Sequence, residues 1–490
     1  MGCVNIKKVF FFTVIIVIST PLLLFASDNP NRFDNFLGTE WYGIYLQGGK
    51  IGYASTTIEK TNYPIDGWRM NTDMTMIISM MGTTDTITTK DVRLFESPGG
   101  ELYSSRAVIS GGTGDITIEG SKEADEYIVT TNIGGQAITK PFPFPLDYLD
   151  SLVFLKTKVS SGDLSIGDSL LISSFDPMPP LTGKVHQSVK ITSKDVYVFN
   201  GVPTDVYTAE WTILEMGVTG RTIIDITGRE LEYTPGGGIL WKLETESMAK
   251  TLDVTFDFLT DNLVYPQKTI EDPQSLKSVK LLISGIGEED ILRTEGQTVT
   301  KRDSGILEVD IVRSELPSKT LELPIESARL KPFLEAGPYI QSNSDEIINL
   351  AREIVGDEKN SWEAAQLIGY WVYANIERRF TPDLSNALQT LHSKQGDCGE
   401  YAALTVALMR AAGIPTRPVA GLVYWPPGDG FGYHAWVEVF VGEWVMMDPS
   451  WDEDLINPSH IALARGDIID QVGILTRVMG KMGIEVLEAR

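Results

Sequence analysis

The stretch that decides the fold runs from Ser393 to Leu422, SKQGDCGEYAALTVALMRAAGIPTRPVAGL. Asp397 followed three residues later by Glu400 is a capping-box pattern, with Asp where Ser or Thr is usual. Ala402, Leu404, Leu408, Met409 and Ala412 then supply a helical apolar series that Gly413 and Pro415 stop. Cys398, one of two cysteines in 490 residues, falls at the first helical position. A thiol of ordinary pKa near ~8.5 is mostly protonated at neutral pH, and a helix N-terminus with an imidazolium beside it lowers that value. Asp397 acts in the opposite sense, so the helix end alone does not suffice and a histidine is required. The competing reading is a small buried hydrophobe, the usual state of a cysteine outside a disulfide.

The chain has four histidines. His186, in GKVHQSVK, reads as a surface strand residue, and His392 and His460 as structural hydrogen-bonding residues. His434 opens HAWVEVFVGEWVMMDPSW, two strands around a turn at Val441 to Glu443. A three-residue loop from Phe440 to Gly442 pairs Val439 with Glu443, so that paired numbers sum to 882 and His434 faces Asp448. Opposed residues of an antiparallel pair have Cβ atoms ~4.5–5.5 Å apart. A carboxylate at Asp448 is then placed to accept from Nδ1–H of His434, leaving the other ring nitrogen for a thiol. That is nucleophile, base and orienter geometry. Glu438 shares the face of His434 and is the rival orienter, two pairs away along the strand.

Around this segment the pattern is helical. SNSDEIINLAREIVG opens on Ser344 or Asp345 as a cap and places Ile347, Ile348, Leu350, Ala351 and Ile354 on one face. NSWEAAQLIGYWVYANIERRF continues at helical spacing. From about Glu40 to Asp257 the sequence instead alternates with period two between glycine-rich breaks, as in WYGIYLQ, DEYIVTTNI and GILWKLETESMA, which predicts antiparallel strands and hairpins. One helix-like element, PLDYLDSLVFLKTK, interrupts them. Strands SVKLLISGI, QTVTKRD and GILEVDIV follow a proline-containing junction. The expected organisation is a multidomain chain: 1–27 a signal peptide or signal anchor, 28–265 a large antiparallel β domain, 266–330 a small β module or linker, and 331–490 an α+β domain carrying the Cys398 chemistry.

The N-terminus places Lys7 and Lys8 before an apolar run from Val9 to Phe25, an export signal or an uncleaved anchor. Periplasmic, extracellular or membrane-anchored location outside the cytoplasm is the expectation, with no membrane contact beyond that segment. Removal of the signal takes Cys3 with it, so disulfides are not what stabilises the fold. A formal net charge of −25, with no interleaved basic and aromatic residues, argues against nucleic acid as a partner.

GDCGEYAALTVALMRAAGIPTRPVAG followed by YHAWVEVFVGEWVMMDPSW resembles the core of the transglutaminase-like superfamily. The corresponding elements are Cys398 at a helix start, RAAGIPTR at Arg410 to Arg417, HAWVE at His434 to Glu438 and WVMMDP at Trp444 to Pro449. The resemblance covers roughly Ser342 to Asp470. It implies a papain-like fold, with a nucleophile helix packed on an antiparallel sheet, and a catalytic set of Cys398 as nucleophile, His434 as general base and Asp448 as orienting carboxylate. The implied reaction is acyl transfer from an amide or peptide carbonyl through a thioester, on a protein or peptide substrate such as a cell-wall peptide. The Cys398 backbone N–H is one implied oxyanion donor, with Trp362, Trp371 and Gln395 as candidates for the other. No cofactor is expected: DPSWDEDL lacks the glycine-turned ligand spacing of a calcium loop. Two other readings are a non-catalytic binding or scaffold protein built on such a core, and a zinc site at Cys398, His434 and Asp448. Hydrolysis versus transamidation and the oligomeric state are open at this level.

Overall fold

The computed structural model describes residues 36–490 except 47, 81–82, 98–99, 112–113, 134, 145–157, 178–182, 236–237, 253–262, 303–304, 380–385 and 467. The N-terminal stretch expected to be an export signal, with Cys3, and nearly all of the helix-like element at 145–158, lie outside the described residues. The chain divides at about residue 257 into two compact units. No helix of the described residues is long and apolar enough to cross a membrane.

The N-terminal unit is one 14-stranded antiparallel sheet. Its strands run from β1 (Gly38–Leu46) to β14 (Ile239–Glu244), most of them hydrogen-bonded to their sequence neighbours. The first strand pairs with the second and also with the last, Trp41 opposite Glu244 and Leu46 opposite Ile239. The ladder therefore runs from the eighth strand back to β1, across to β14 and on to the ninth. Alternation along each strand sends one set of side chains inward, and Tyr42, Tyr127, Trp211, Tyr233 and Trp241 are buried.

Among the described residues the C-terminal unit holds a short parallel pair of β18 (Glu377–Arg378) and β19 (Gln395–Gly396) and two four-stranded sheets. One is made of β15 (Ser278–Ser284), β16 (Gln297–Lys301), β17 (Leu307–Val312) and β24 (Gly483–Ala489), in the order β16-β17-β15-β24. The strands read as a module at 266–330 thus take their fourth partner from the C-terminal end of the chain, through Val279 opposite Ala489 and Leu281 opposite Val486. The other sheet orders β20 (Thr416–Trp425), β21 (Gly430–Phe440), β22 (Trp444–Met447) and β23 (His460–Arg465) as β22-β21-β20-β23.

Against this second sheet packs a helical layer of α1 (Asp345–Val355), α2 (Ser361–Asn375), α3 (Ala387–Ser393) and α4 (Cys398–Ala411). The caps are read directly from side chains. Asn360 accepts from the Trp362 N–H to open α2, and Asn386 and Gln389 form a capping box on α3. Helix α4 is enclosed by α1, α2, α3, β20 and β21, and is buried from Cys398 to Arg410. A helix enclosed on all sides needs apolar residues all round rather than one stripe. Leu404, Leu408 and Met409 are fully buried, and truncating any one of them to Ala is expected to cost about 2–5 kcal/mol.

Gly421 on β20 lies opposite His434 on β21. A Cβ at Gly421 would collide with the carbonyl oxygen of Ile461 and the ring of Trp436. Glycine is required there by the close approach of β23. Gly421→Ala is expected to destabilise the domain by about 2–3 kcal/mol, read as a lower urea midpoint at unchanged slope.

Candidate active site

Cys398 is the first residue of α4, and its side chain is buried. The predicted capping box is formed: Asp397 accepts from the Gly399 N–H at 3.1 Å, and Glu400 accepts from the Asp397 N–H at 3.0 Å. The Asp397 carboxylate is thereby tied to the helix's own backbone. At the far end, Arg410 donates from Nε to the Thr416 carbonyl at 2.9 Å and from Nη1 to the Glu335 carbonyl at 2.6 Å, while Gly413 takes a φ of +82°. RAAGIPTR therefore turns the chain from α4 into β20, so that the strand runs back along the helix it follows.

His434 stands on β21, the strand against which α4 packs. Its Nε2 lies 2.7 Å from Oδ2 of Asp448, and both side chains are fully buried. The structure brings these two predicted residues together, with two corrections to the expected route. The nitrogen on the carboxylate is Nε2 rather than Nδ1. The loop is Val441 to Glu443, closed by the Val441 N–H on the Glu443 carbonyl at 3.0 Å, so the pairs run from Phe440 opposite Trp444 to Val437 opposite Met447. Paired numbers sum to 884, not 882. A shift of two leaves every side chain on its expected face, so Asp448 still reaches His434, diagonally and just past the strand end.

Asp448 leaves the ladder in a tight turn. Its Oδ1 accepts from the Ser450 N–H at 2.9 Å and the Ser450 hydroxyl at 2.6 Å. Burial alone would push its carboxyl up, but the charge and hydrogen bond of His434, then the hydrogen bond and charge of His460, outweigh it and hold the group well below the usual carboxylate range.

Glu438, the rival orienter, is committed elsewhere. It accepts from Nε of Arg417 at 2.6 Å and from Nη2 of Arg465 at 2.8 Å. These arginines bind strands β20, β21 and β23 together. Glu438→Gln is expected to destabilise the domain by about 3 kcal/mol, as a buried pair losing its charge does. It should leave the pH dependence of Cys398 alkylation unchanged.

The three candidates for the second oxyanion donor lie in different surroundings. Trp362 is part of the buried core, and Trp371 carries the Lys394 ammonium 4.7 Å from its ring centre. Gln395 donates to Glu377 at 3.2 Å and accepts from Arg379 at 3.0 Å. His186 and His392 pair with Glu215 and Glu346 at the surface, each at 2.6 Å.

A family model described as the transglutaminase-like superfamily matches residues 348–449. The chain carries a transglutaminase-like domain. The matched segment runs from within α1 through Pro449, and so contains all four sequence elements together with Cys398, His434 and Asp448. An uncharacterized protein of Mycobacterium leprae is 30% identical over 111 residues, covering 21% of this chain and 39% of that protein. One from Haemophilus influenzae is 30% identical over 150 residues, covering 28% and 40%. The uncharacterized protein YebA of Bacillus subtilis is 24% identical over 363 residues, covering 65% and 45%. The chain thus spans less than half the length of the curated relatives it matches.

The transglutaminase-like domain adds a residue that sequence did not assign to the site. His460, at the start of β23, lies with its Nε2 3.4 Å from Asp448 Oδ2. Rings of Trp436 and Trp451 pack on both histidines, with centroids 5.1–6.0 Å away. Among the described residues, the cluster able to offer ligand atoms to a metal is His434, Asp448 and His460, with those atoms within 4.8 Å of one another. Cys398 is not in it, so the zinc set considered from sequence is not the one the fold assembles.

Proposed function

We propose that the transglutaminase-like domain is a cysteine acyl-transfer enzyme with Cys398 as nucleophile, His434 as general base and acid, and Asp448 as orienter. The observation that carries this reading is the fully buried His434–Asp448 contact of 2.7 Å on the strand that supports the Cys398 helix. Asp448 occupies Nε2, so Nδ1 is the nitrogen through which the ring serves the thiol. His434 takes the thiol proton, and the sulfur attacks an amide carbonyl carbon. The developing oxyanion is met by the Cys398 backbone N–H at the helix N-terminus. Collapse breaks the C–N bond as His434 returns the proton to the leaving amine, which yields a thioester and a free amine. Water or a second amine, deprotonated by His434, then attacks the thioester and releases Cys398.

Protein or peptide amides are the proposed substrate class, cell-wall peptides included, and the proposed setting is outside the cytoplasm. Glutamine amides and peptides offered to the protein and quenched in acid should leave a thioester on Cys398, seen by peptide mass spectrometry and absent in Cys398→Ala. Product formation that persists in Cys398→Ala would contradict the assignment. Binding without any adduct would favour the scaffold reading.

A further inference from the structure

The chain reaches Cys398 along β19, whose residues Gln395 and Gly396 lie opposite Glu377 and Arg378 of β18. The Glu377 N–H donates to the Lys394 carbonyl at 2.7 Å, and the Arg379 N–H to the Gly396 carbonyl at 3.0 Å. Arg379 is thereby anchored two residues ahead of Cys398. Arg378 reaches toward the other end of the catalytic set, for its guanidinium donates to the carbonyl of Ser450, in the turn that holds Asp448. Glu377 accepts from the Gln395 side-chain amide at 3.2 Å, and Arg379 donates to the oxygen of that amide at 3.0 Å. Three cations, Arg378, Arg379 and Lys394, thus stand with the Glu377 carboxylate beside the residues that lead into Cys398, in a chain of formal net charge −25.

We propose that Lys394 and Arg379 form a carboxylate-binding subsite beside Cys398, which selects amide substrates carrying a carboxylate close to the reacting carbonyl; the inference deepens the acyl-transfer reading above and rests on it. Both side chains are exposed, and among the described residues no carboxylate pairs with either. The Lys394 ammonium lies 4.7 Å from the centre of the Trp371 ring. Partial desolvation lowers its pKa from the ordinary lysine value, and no neighbouring charge opposes that shift. Lys394 also closes α3 at a φ of +53°, a left-handed position that glycine or asparagine usually fills. A long cation therefore stands where local geometry favours a residue with little side chain. Arg379 gives one N–H to Gln395, and the planar fork of a guanidinium keeps others to meet both oxygens of a carboxylate. Together the two cations and Trp371 offer a point charge, a fork and an apolar floor, which suits a carboxylate on a short aliphatic stem. Lys394 precedes Cys398 by four residues, at most ~14 Å between Cα atoms, so the carboxylate belongs within about four residues of the reacting carbonyl. An acidic side chain and a free C-terminus both supply that chemistry.

The test alkylates Cys398 in the full chain with iodoacetate, which carries a carboxylate, and with iodoacetamide, which does not, each followed on the Cys398 tryptic peptide. The ratio of the two rates cancels any change in thiolate fraction. In the wild type the iodoacetate-to-iodoacetamide ratio should exceed that of mercaptoethanol, a neutral thiol, and should shrink in added salt. It should fall about five- to tenfold when Lys394→Met is combined with Arg379→Gln, as for the loss of two charges at roughly 8 Å in a wet site. A wild-type ratio no higher than that of mercaptoethanol overturns the proposal even if the double variant fails to fold. A ratio within about twofold of wild type in the folded variant overturns it too. Two glutamine tripeptides then compete with iodoacetate on the wild type, one with an acidic neighbour and an amidated C-terminus, the other with a neutral neighbour and a free C-terminus. The one that slows labelling more identifies the source of the carboxylate. Iodoacetamide labelling indifferent to His434→Ala would remove the acyl-transfer reading and the subsite's role with it, whereas a flat reagent ratio removes the subsite alone.

Discussion

Cys398→Ala is expected to lower turnover of any amide or peptide substrate by about 10⁴-fold or more while leaving the domain folded. The thiol is the bond-forming atom of the proposed reaction, and no second cysteine occurs beyond Cys3 to replace it. Alanine fills most of the same space at the first position of α4 and does not disturb the Asp397–Glu400 capping box, so the melting temperature should move little. Cys398→Ser should be almost as inactive, because a hydroxyl is a far weaker nucleophile than a thiolate beside the same imidazole. The check is kcat/KM together with a melting curve for each variant. Activity within tenfold of wild type in either one would remove Cys398 from the chemistry.

Asp448→Asn is expected to lower kcat by about 10⁴-fold, for a different reason. The side-chain amide keeps the shape but can present an N–H where Oδ2 accepted, and His434 must then turn a lone pair toward it and hold the wrong tautomer. The same substitution has a stability signature. The Asp448 carboxyl is held well below its usual range in the folded protein, so it contributes stability at any pH above the ordinary Asp value near ~3.9 and loses that contribution as pH falls below it. The difference in melting temperature between wild type and Asp448→Asn should therefore be greatest above about pH 5 and shrink through about pH 4 to 2. A gap that does not change with pH would mean that the carboxylate's charge plays no part in holding the loop.

Much of this architecture was legible in the chain. The capping box, the Gly413 stop and the enclosing strands follow from local chemistry, which is why the position of Cys398 at the start of α4 could be read in advance. The alternating strands of the N-terminal sheet were equally plain, whereas their closure of β1 on β14 depends on pairing across nearly 200 residues, which periodicity does not encode. The hairpin register was misjudged by two because the turn type of Val441 to Glu443 is set by backbone geometry at Gly442, whose φ is +133°. Parity saved the face assignment. Glu438 could not be separated from Asp448 by spacing alone, since its partners Arg417 and Arg465 come from two other strands. His460 reads from the sequence only as a structural hydrogen-bonding residue, because only the fold brings the start of β23, paired with β20, beside Asp448. Its signal was present nonetheless in the repeated DPS and NPS turns that bracket the loop.

The most direct test of the central claim is the rate of iodoacetamide alkylation at Cys398 against pH, followed on its tryptic peptide in wild type and His434→Ala. A thiolate held by His434 predicts labelling below pH 7 faster than that of an ordinary thiol of pKa near ~8.5, and loss of that acid-side reactivity in the variant. Slow labelling that follows the ordinary thiol curve in both proteins would contradict it.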